Sequence, residues 1–127
     1  MPGFKPDGYN SVSPYLIVSG AAGTIDFLEA AFGAKRLRQH TDEGGRLMHG
    51  EVMLDDTVVM LADATPEWPA LPAHVHVYVA DVDASYAAAI AAGGASAQEP
   101  VQKGDEDKRG GVTDAGGTTW WIATRVG

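Results

Sequence analysis

The chain contains no cysteine. That removes disulfides, thiolate metal sites and cysteine nucleophiles together, and it suits a reducing, cytoplasmic setting. Positive charge is also scarce: nine Lys and Arg stand against seventeen Asp and Glu, a formal charge of −8. No basic stripe is left to grip a nucleic acid, and the negative field favours neutral or cationic ligands over polyanions. No apolar run approaches the roughly 18 residues of a membrane span. The first residues show no charged-then-apolar leader, so neither a membrane partner nor a signal peptide is expected. Proline is concentrated rather than spread. Pro66, Pro69 and Pro72 lie close together between Ala64 and Ala73; they forbid a helix there and deny donors to a sheet, which makes 64–73 a linker.

Around that linker the sequence repeats itself. Ala30-Ala31-Phe32-Gly33-Ala34 and Ala91-Ala92-Gly93-Gly94-Ala95 agree at four of five places, 61 positions apart. At the same offset Val18 meets Val79, Gly50 meets Gly111, Thr57 meets Thr118 and Ala62 meets Ala123. The order of elements repeats too. In the first copy, Ser11 to Val18 predicts a strand. Ala22 to Phe32 predicts a helix, with Ile25, Leu28, Ala31 and Phe32 on one face and Gly33 as its stop. Lys35 to His40 is a second strand, and Leu47 to Leu54 with Thr57 to Ala62 forms a hairpin about Asp55-Asp56. In the second copy, His74 to Val79 is a strand, and Asp81 and Asp83 offer N-cap oxygens to a helix that ends at Gly93-Gly94. Ala95 to Pro100 begins a strand, Lys103 to Lys108 reads as a charged loop, and Gly110 to Thr113 and Thr118 to Thr124 close the copy. The class is therefore α+β: a single domain over 1–127 built from two βαβββ modules, about 11–63 and 74–125. Helices lie on the outer face, and the remaining sheet faces form a cup.

Strand parity assigns side chains to that cup. In His74-Val75-His76-Val77-Tyr78-Val79 the valines face the helix, and His74, His76 and Tyr78 face the cleft. By the repeat, Leu16 and Val18 face the helix and Ser13, Tyr15 and Ile17 the cleft. In the last strand of each copy Val59, Leu61, Trp120 and Ile122 pack inward, while Met60 and Trp121 face the cleft. In the hairpin strand Met48, Val52 and Leu54 are expected on the packed face and His49, Glu51 and Met53 opposite. The ligand-binding candidates are thus Tyr15, His49, Glu51, Met60, His74, His76, Tyr78 and Trp121, the aromatic and polar mixture usual in small-molecule pockets. His49 and Glu51 are the candidates for acid–base catalysis. Trp68 reads as a lid or dimer contact, and Lys103 to Arg109 as a solvated loop.

The paired modules, with "SPYLIV", "TIDFLEAAFGA", "RLMHGEVMLDDTVVMLAD", "HVHVYVADVDASY" and "GGVTDAGGTTWWIAT", resemble the vicinal oxygen chelate superfamily over about residues 11 to 125. That superfamily includes glyoxalase I, bleomycin-resistance proteins and extradiol dioxygenases, and the likeness is closest to its PhnB-like branch. The resemblance implies four metal-ligand positions, one on the first and last strand of each module; here they fall at Ser13, Met60, His74 and Trp121. Only His74 is a good ligand. The family's Asp-Pro-x-Gly-x-x-x-Glu ending appears as Asp114-Ala115-Gly116-Gly117-Thr118-Thr119-Trp120-Trp121, with indole in place of the carboxylate and no lone pair for a cation.

The function expected from this is binding of a small, cationic or aromatic molecule in a metal-free cleft, without a cofactor, as in bleomycin-resistance relatives. The alternative is a lyase, isomerase or dioxygenase-like enzyme with one divalent metal in a rebuilt site of His74, His76 and Glu51. Against it, His74 and His76 stand about 6.5–7 Å apart along the strand. A scaffold module with a vestigial pocket is the blander possibility. The resemblance also implies a homodimer.

Overall fold

The computed structural model describes residues 3–104 and 106–127. The elements run β1 (Tyr15–Val18), α1 (Ala21–Phe32), β2 (Lys35–Thr41), β3 (Leu47–Leu54), β4 (Thr57–Asp63), then β5 (Ala73–Tyr78), α2 (Val82–Ala91), β6 (Ala95–Gln102), β7 (Asp107–Thr113) and β8 (Thr118–Arg125). They form the two expected βαβββ modules, one four-stranded mixed sheet each, ordered β1-β4-β3-β2 and β5-β8-β7-β6.

The helices begin and end where local chemistry dictates. Gly33 takes a left-handed conformation, and its N–H and that of Ala34 return to the carbonyls of Glu29 and Leu28, closing α1. Asp63, at the end of β4, accepts from the N–H of Ala21 and from that of Leu47, tying the start of α1 to both hairpin strands. Asp81 caps α2 by accepting from the N–H of Ala84, the role expected of it.

The repeat survives in the strand register. Tyr15 pairs with Met60 and His76 with Trp121, which preserves the 61-residue offset in the paired first and last strands. In the outer strands the offset falls to 60: Lys35 pairs with Met53, and Ala95 with Thr113. Gly50 is therefore equivalent to Gly110 and not to Gly111, since these two pair with Leu61 and Ile122. The compensating residue lies in the turn before β8: five residues separate Thr113 from its partner Thr119, where four separate Met53 from Val58.

Both helix-side faces drain into one core. Leu16, Val18, Ile25, Leu28, Val59 and Leu61 share it with Val112, Trp120 and Ile122 of the second module. Phe32 of α1 sits 5.8 Å, ring centre to ring centre, from Trp120 of β8. A Cβ on Gly94 would lie 2.2 Å from Val112 Cγ1 and 3.2 Å from Phe27 Cε1, so α1 presses close to the end of α2. The helix-side faces of both sheets share this core, while Tyr15, His74, His76 and Tyr78 on the opposite faces are exposed.

Two local expectations need correction. Met48 is not in the core. His40 pairs with His49 and Thr41 with Leu47, so Met48 is the extra residue of a β-bulge; Leu47 packs inward while Met48 is exposed. The charged run at 103–109 is not all loop: Asp107 to Arg109 belong to β7, and Asp107 is buried. No helix among the described residues is long and apolar enough to cross a membrane.

Candidate functional site

The outward face of the first sheet is built by register. Tyr15, Met60 and Glu51 lie side by side across β1, β4 and β3, and His49 precedes Glu51 by two residues and so shares its side. Glu51 is fully buried. A carboxylate so placed must be neutralised or richly hydrogen-bonded. One oxygen accepts from Tyr9 Oη at 2.5 Å, and the other meets His49 Nε2 at 2.7 Å. Arg38 approaches both oxygens at 3.4 Å. Burial pushes the Glu51 pKa up, but the hydrogen bonds from Tyr9, His49 and Arg38 outweigh it and hold the carboxyl below its ordinary range. The same pairing pushes the Tyr9 phenol up, through its bond to Glu51 first and burial second.

An ionised Glu51 accepts only, so His49 Nε2 carries the proton that bridges them. Nδ1 is then left with its lone pair, and it faces Tyr15 Oη at 3.2 Å. The order from core to solvent is carboxylate, imidazole, phenol, with Tyr15 49 % exposed. Beside this array, Tyr15, Ile17, Arg46, Met48, Ala62 and Trp68 border a hollow of about 470 Å³. Trp68 belongs to the proline linker, which a pair of backbone bonds between Thr65 and Trp68 closes into a tight turn.

The outward face of the second sheet is flat and aromatic. Trp121 Nε1 donates to His74 Nδ1 at 3.0 Å, and the two rings are within 11° of parallel with centres 6.2 Å apart. At that separation neither ring covers the other. They run side by side as one broad plate. The plate lies down on the sheet because Gly111, paired with Trp121, has no side chain; a Cβ there would be 2.6 Å from Trp121 Cζ3. Because His74 Nδ1 accepts, its proton sits on Nε2, a donor at the plate's edge. Two residues further along the same side of β5, His76 Nε2 accepts from Arg109 Nε at 3.2 Å. Asp107 accepts from Arg109 at 2.8 Å and from Tyr78 Oη at 2.7 Å. Burial first and the Arg109 charge second depress the His76 pKa, so this ring is neutral at physiological pH.

Of the eight side chains expected to share one cleft, Tyr15, His49, Glu51 and Met60 gather on one sheet and His74, His76, Tyr78 and Trp121 on the other. No hydrogen bond, ion pair or ring contact among the described residues joins the two groups. Strand parity did not reveal Tyr9, Arg38, Asp107 or Arg109. A more enclosed cavity of about 300 Å³ lies between the modules, walled by Pro14, Val59, Val75, Val77 and Trp120, and His76 and Tyr78 of the second group also line it.

The family's metal positions do not fit an ion in this chain. Ser13 lies just before β1 and Met60 on the first sheet, with His74 and Trp121 on the second; their donors are a hydroxyl, a thioether, an imidazole nitrogen facing an indole N–H, and an indole. Among the described residues no three His, Asp or Glu side chains converge on one point, where a catalytic site wants three protein ligands and an open position.

Residues 9–122 match the family model described as Glyoxalase/Bleomycin resistance protein/Dioxygenase superfamily. An uncharacterized protein of Mycobacterium bovis is 31% identical over 127 residues, covering 91% of this chain and 84% of its own. Among solved structures, TioX from Micromonospora sp. ML1 superposes with a TM-score of 0.72 at 19% identity, over 91% of this chain and 100% of the other. TnmS3, an antibiotic binding protein from Streptomyces sp. CB03234, gives 0.69 at 21%, over 92% and 99%.

Proposed function

Because the chain belongs to the glyoxalase/bleomycin resistance protein/dioxygenase superfamily, we propose that it binds a planar aromatic small molecule, without a metal, in a cup completed by a second copy of itself. The observation that carries this reading is the His74–Trp121 plate. A flat surface of two coplanar rings, seated on a glycine and open on its other side, is what a flat ligand stacks on; each such aromatic contact stabilises by about 0.5–1.5 kcal/mol beyond area burial. His74 Nε2–H at its rim offers one directional bond. The formal charge of −8 favours a cationic ring system. The antibiotic-binding neighbour of the same fold supports small-molecule binding by analogy.

The second copy enters through geometry. The two groups of candidate residues sit on separate sheets, and no hydrogen bond, ion pair or ring contact among the described residues joins them, which favours a cup that a second copy completes. A two-fold pair would set the first-module face of each chain against the second-module face of its partner and enclose two equivalent cups.

Proflavine, a planar tricyclic cation, tests the binding. It is expected to raise the thermal midpoint in proportion to ln(1 + [L]/Kd), on a particle of twice the chain mass by light scattering. Trp121→Ala is expected to abolish the rise. Equal stabilisation of Trp121→Ala, or none of the native chain, overturns the site; a monomeric particle overturns the shared cup.

A further inference from the structure

We propose that Tyr15, His49 and Glu51 form a metal-independent acid–base relay that moves a proton to and from a planar aromatic molecule held over the outward face of the first sheet. The class of molecule rests on the binding reading above; the proton chemistry does not. Three observations carry it. The carboxylate is fully buried and is held by three partners rather than left to take up a proton. His49 bridges it to Tyr15 with both ring nitrogens committed, at 2.7 and 3.2 Å. The chain of bonds ends on a phenol that is half exposed and borders a hollow wide enough for a small ligand. A buried carboxylate serving only stability needs donors, but nothing requires those donors to lead in series to solvent.

The relay works as follows. Tyr15 Oη takes a proton from an acidic C–H or O–H of the bound molecule while its own proton passes to His49 Nδ1. One substrate bond to hydrogen and the phenol O–H break; a new phenol O–H and an Nδ1–H form. The electron pair stays on the molecule. The resulting imidazolium lies against the Glu51 carboxylate, which Arg38 and Tyr9 keep ionised. Returning the proton to a different atom of the same molecule completes an isomerisation with no oxidant or co-reactant. Tyr15 and His49 are the catalytic residues; Glu51 is a positioning residue that also balances charge.

The full chain, treated with EDTA, is tested with 5-nitro-1,2-benzisoxazole. Loss of its C3 proton to a base forms the nitrile and breaks the N–O bond to give a coloured phenolate, and the captured proton then leaves to water. Saturable turnover is expected, with kcat lower by about a hundredfold in Tyr15→Phe and in His49→Gln, the scale of a positioned general base, and KM little changed. In Glu51→Gln the acid limb of the rate–pH profile should move to lower pH, because the counter-charge of the imidazolium is gone. The titratable and charged groups facing His49 are Tyr15 on β1, His40 opposite it on β2, Glu51 on its own strand, and Arg38 and Tyr9 through Glu51. Loss of folded protein alone would lower the rate without moving that limb. Nitrogen-15 NMR supplies a readout that needs no probe: neutral His49 should carry its proton on Nε2.

An unchanged rate in His49→Gln, an unmoved limb in Glu51→Gln, or the opposite tautomer overturns the relay. So does a probe that is not turned over by a chain that binds proflavine. Full turnover alongside proflavine binding that survives Trp121→Ala would sink the binding reading alone.

Discussion

Gly111→Ala separates the aromatic plate from the fold that carries it. The added Cβ would lie 2.6 Å from Cζ3 and 2.8 Å from Cε3 of Trp121. Carbon atoms in ordinary contact sit about 3.5–4.0 Å apart, so the indole must lift by roughly 1 Å. Overpacking of this kind costs about 1–3 kcal/mol in a closed core. Here the ring is only half buried and can swing outward, so the lower end applies. Gly111 has no positive φ, and alanine there restricts the unfolded chain, which offsets about 0.4–1 kcal/mol. The net loss is therefore about 1 kcal/mol or less, a fall in thermal midpoint of at most about 4 °C. The plate fares worse: a tilted indole loses its flat contact and its alignment with His74, worth about 1–3 kcal/mol for one stacked ring. Proflavine affinity by calorimetry should therefore drop about tenfold in a protein whose melting is nearly native. Full affinity with a clear loss of stability would refute the reasoning, since Trp121 would then be a packing residue and the ligand would lie elsewhere.

Two further expectations concern the fold. Trp120 is fully buried, meets Phe32 and donates through Nε1 to Asp114 at 2.9 Å; Trp120→Ala should cost about 3–5 kcal/mol in urea unfolding, and a loss under 1 kcal/mol would deny the shared core. Glu51 has a folded pKa below its ordinary 4.5, so the stability it contributes is present above that value and disappears as the pH falls through the folded pKa. Urea unfolding should show native protein and Glu51→Gln far apart at pH 7 and converging in acid; a gap independent of pH contradicts this.

Much of the fold was legible because the sequence states it twice. The 61-residue offset is the register of β1/β4 against β5/β8, and alternation placed Leu16, Val18, Trp120 and Ile122 inward as found. Alternation failed where strands bulge. Arg36 and Arg38 are two apart and would share a side in a regular strand. An extra residue between Arg36 and Gln39 sends them apart: Arg36 reaches Asp26 and Glu29 on α1, while Arg38 reaches Glu51 on the other face. The bulge at Met48 misled the assignment of the packed face for the same reason. Tyr9 left no signal, because it lies before the first strand, where no period constrains it. Asp107 was hidden within a charged run; its two-residue spacing from Arg109 and Gly111 was the available clue to a strand.

One consequence follows from the two sheets carrying unlike side chains. If the relay and the plate act as proposed, the two halves of the repeat have specialised, proton handling on one and flat recognition on the other, and each chain of a two-fold pair would contribute unlike parts to two equivalent cups. Chains disabled in different halves should then complement each other. A pair mixed from a Tyr15→Phe chain and a Trp121→Ala chain places both lesions in one cup and leaves the other wholly intact.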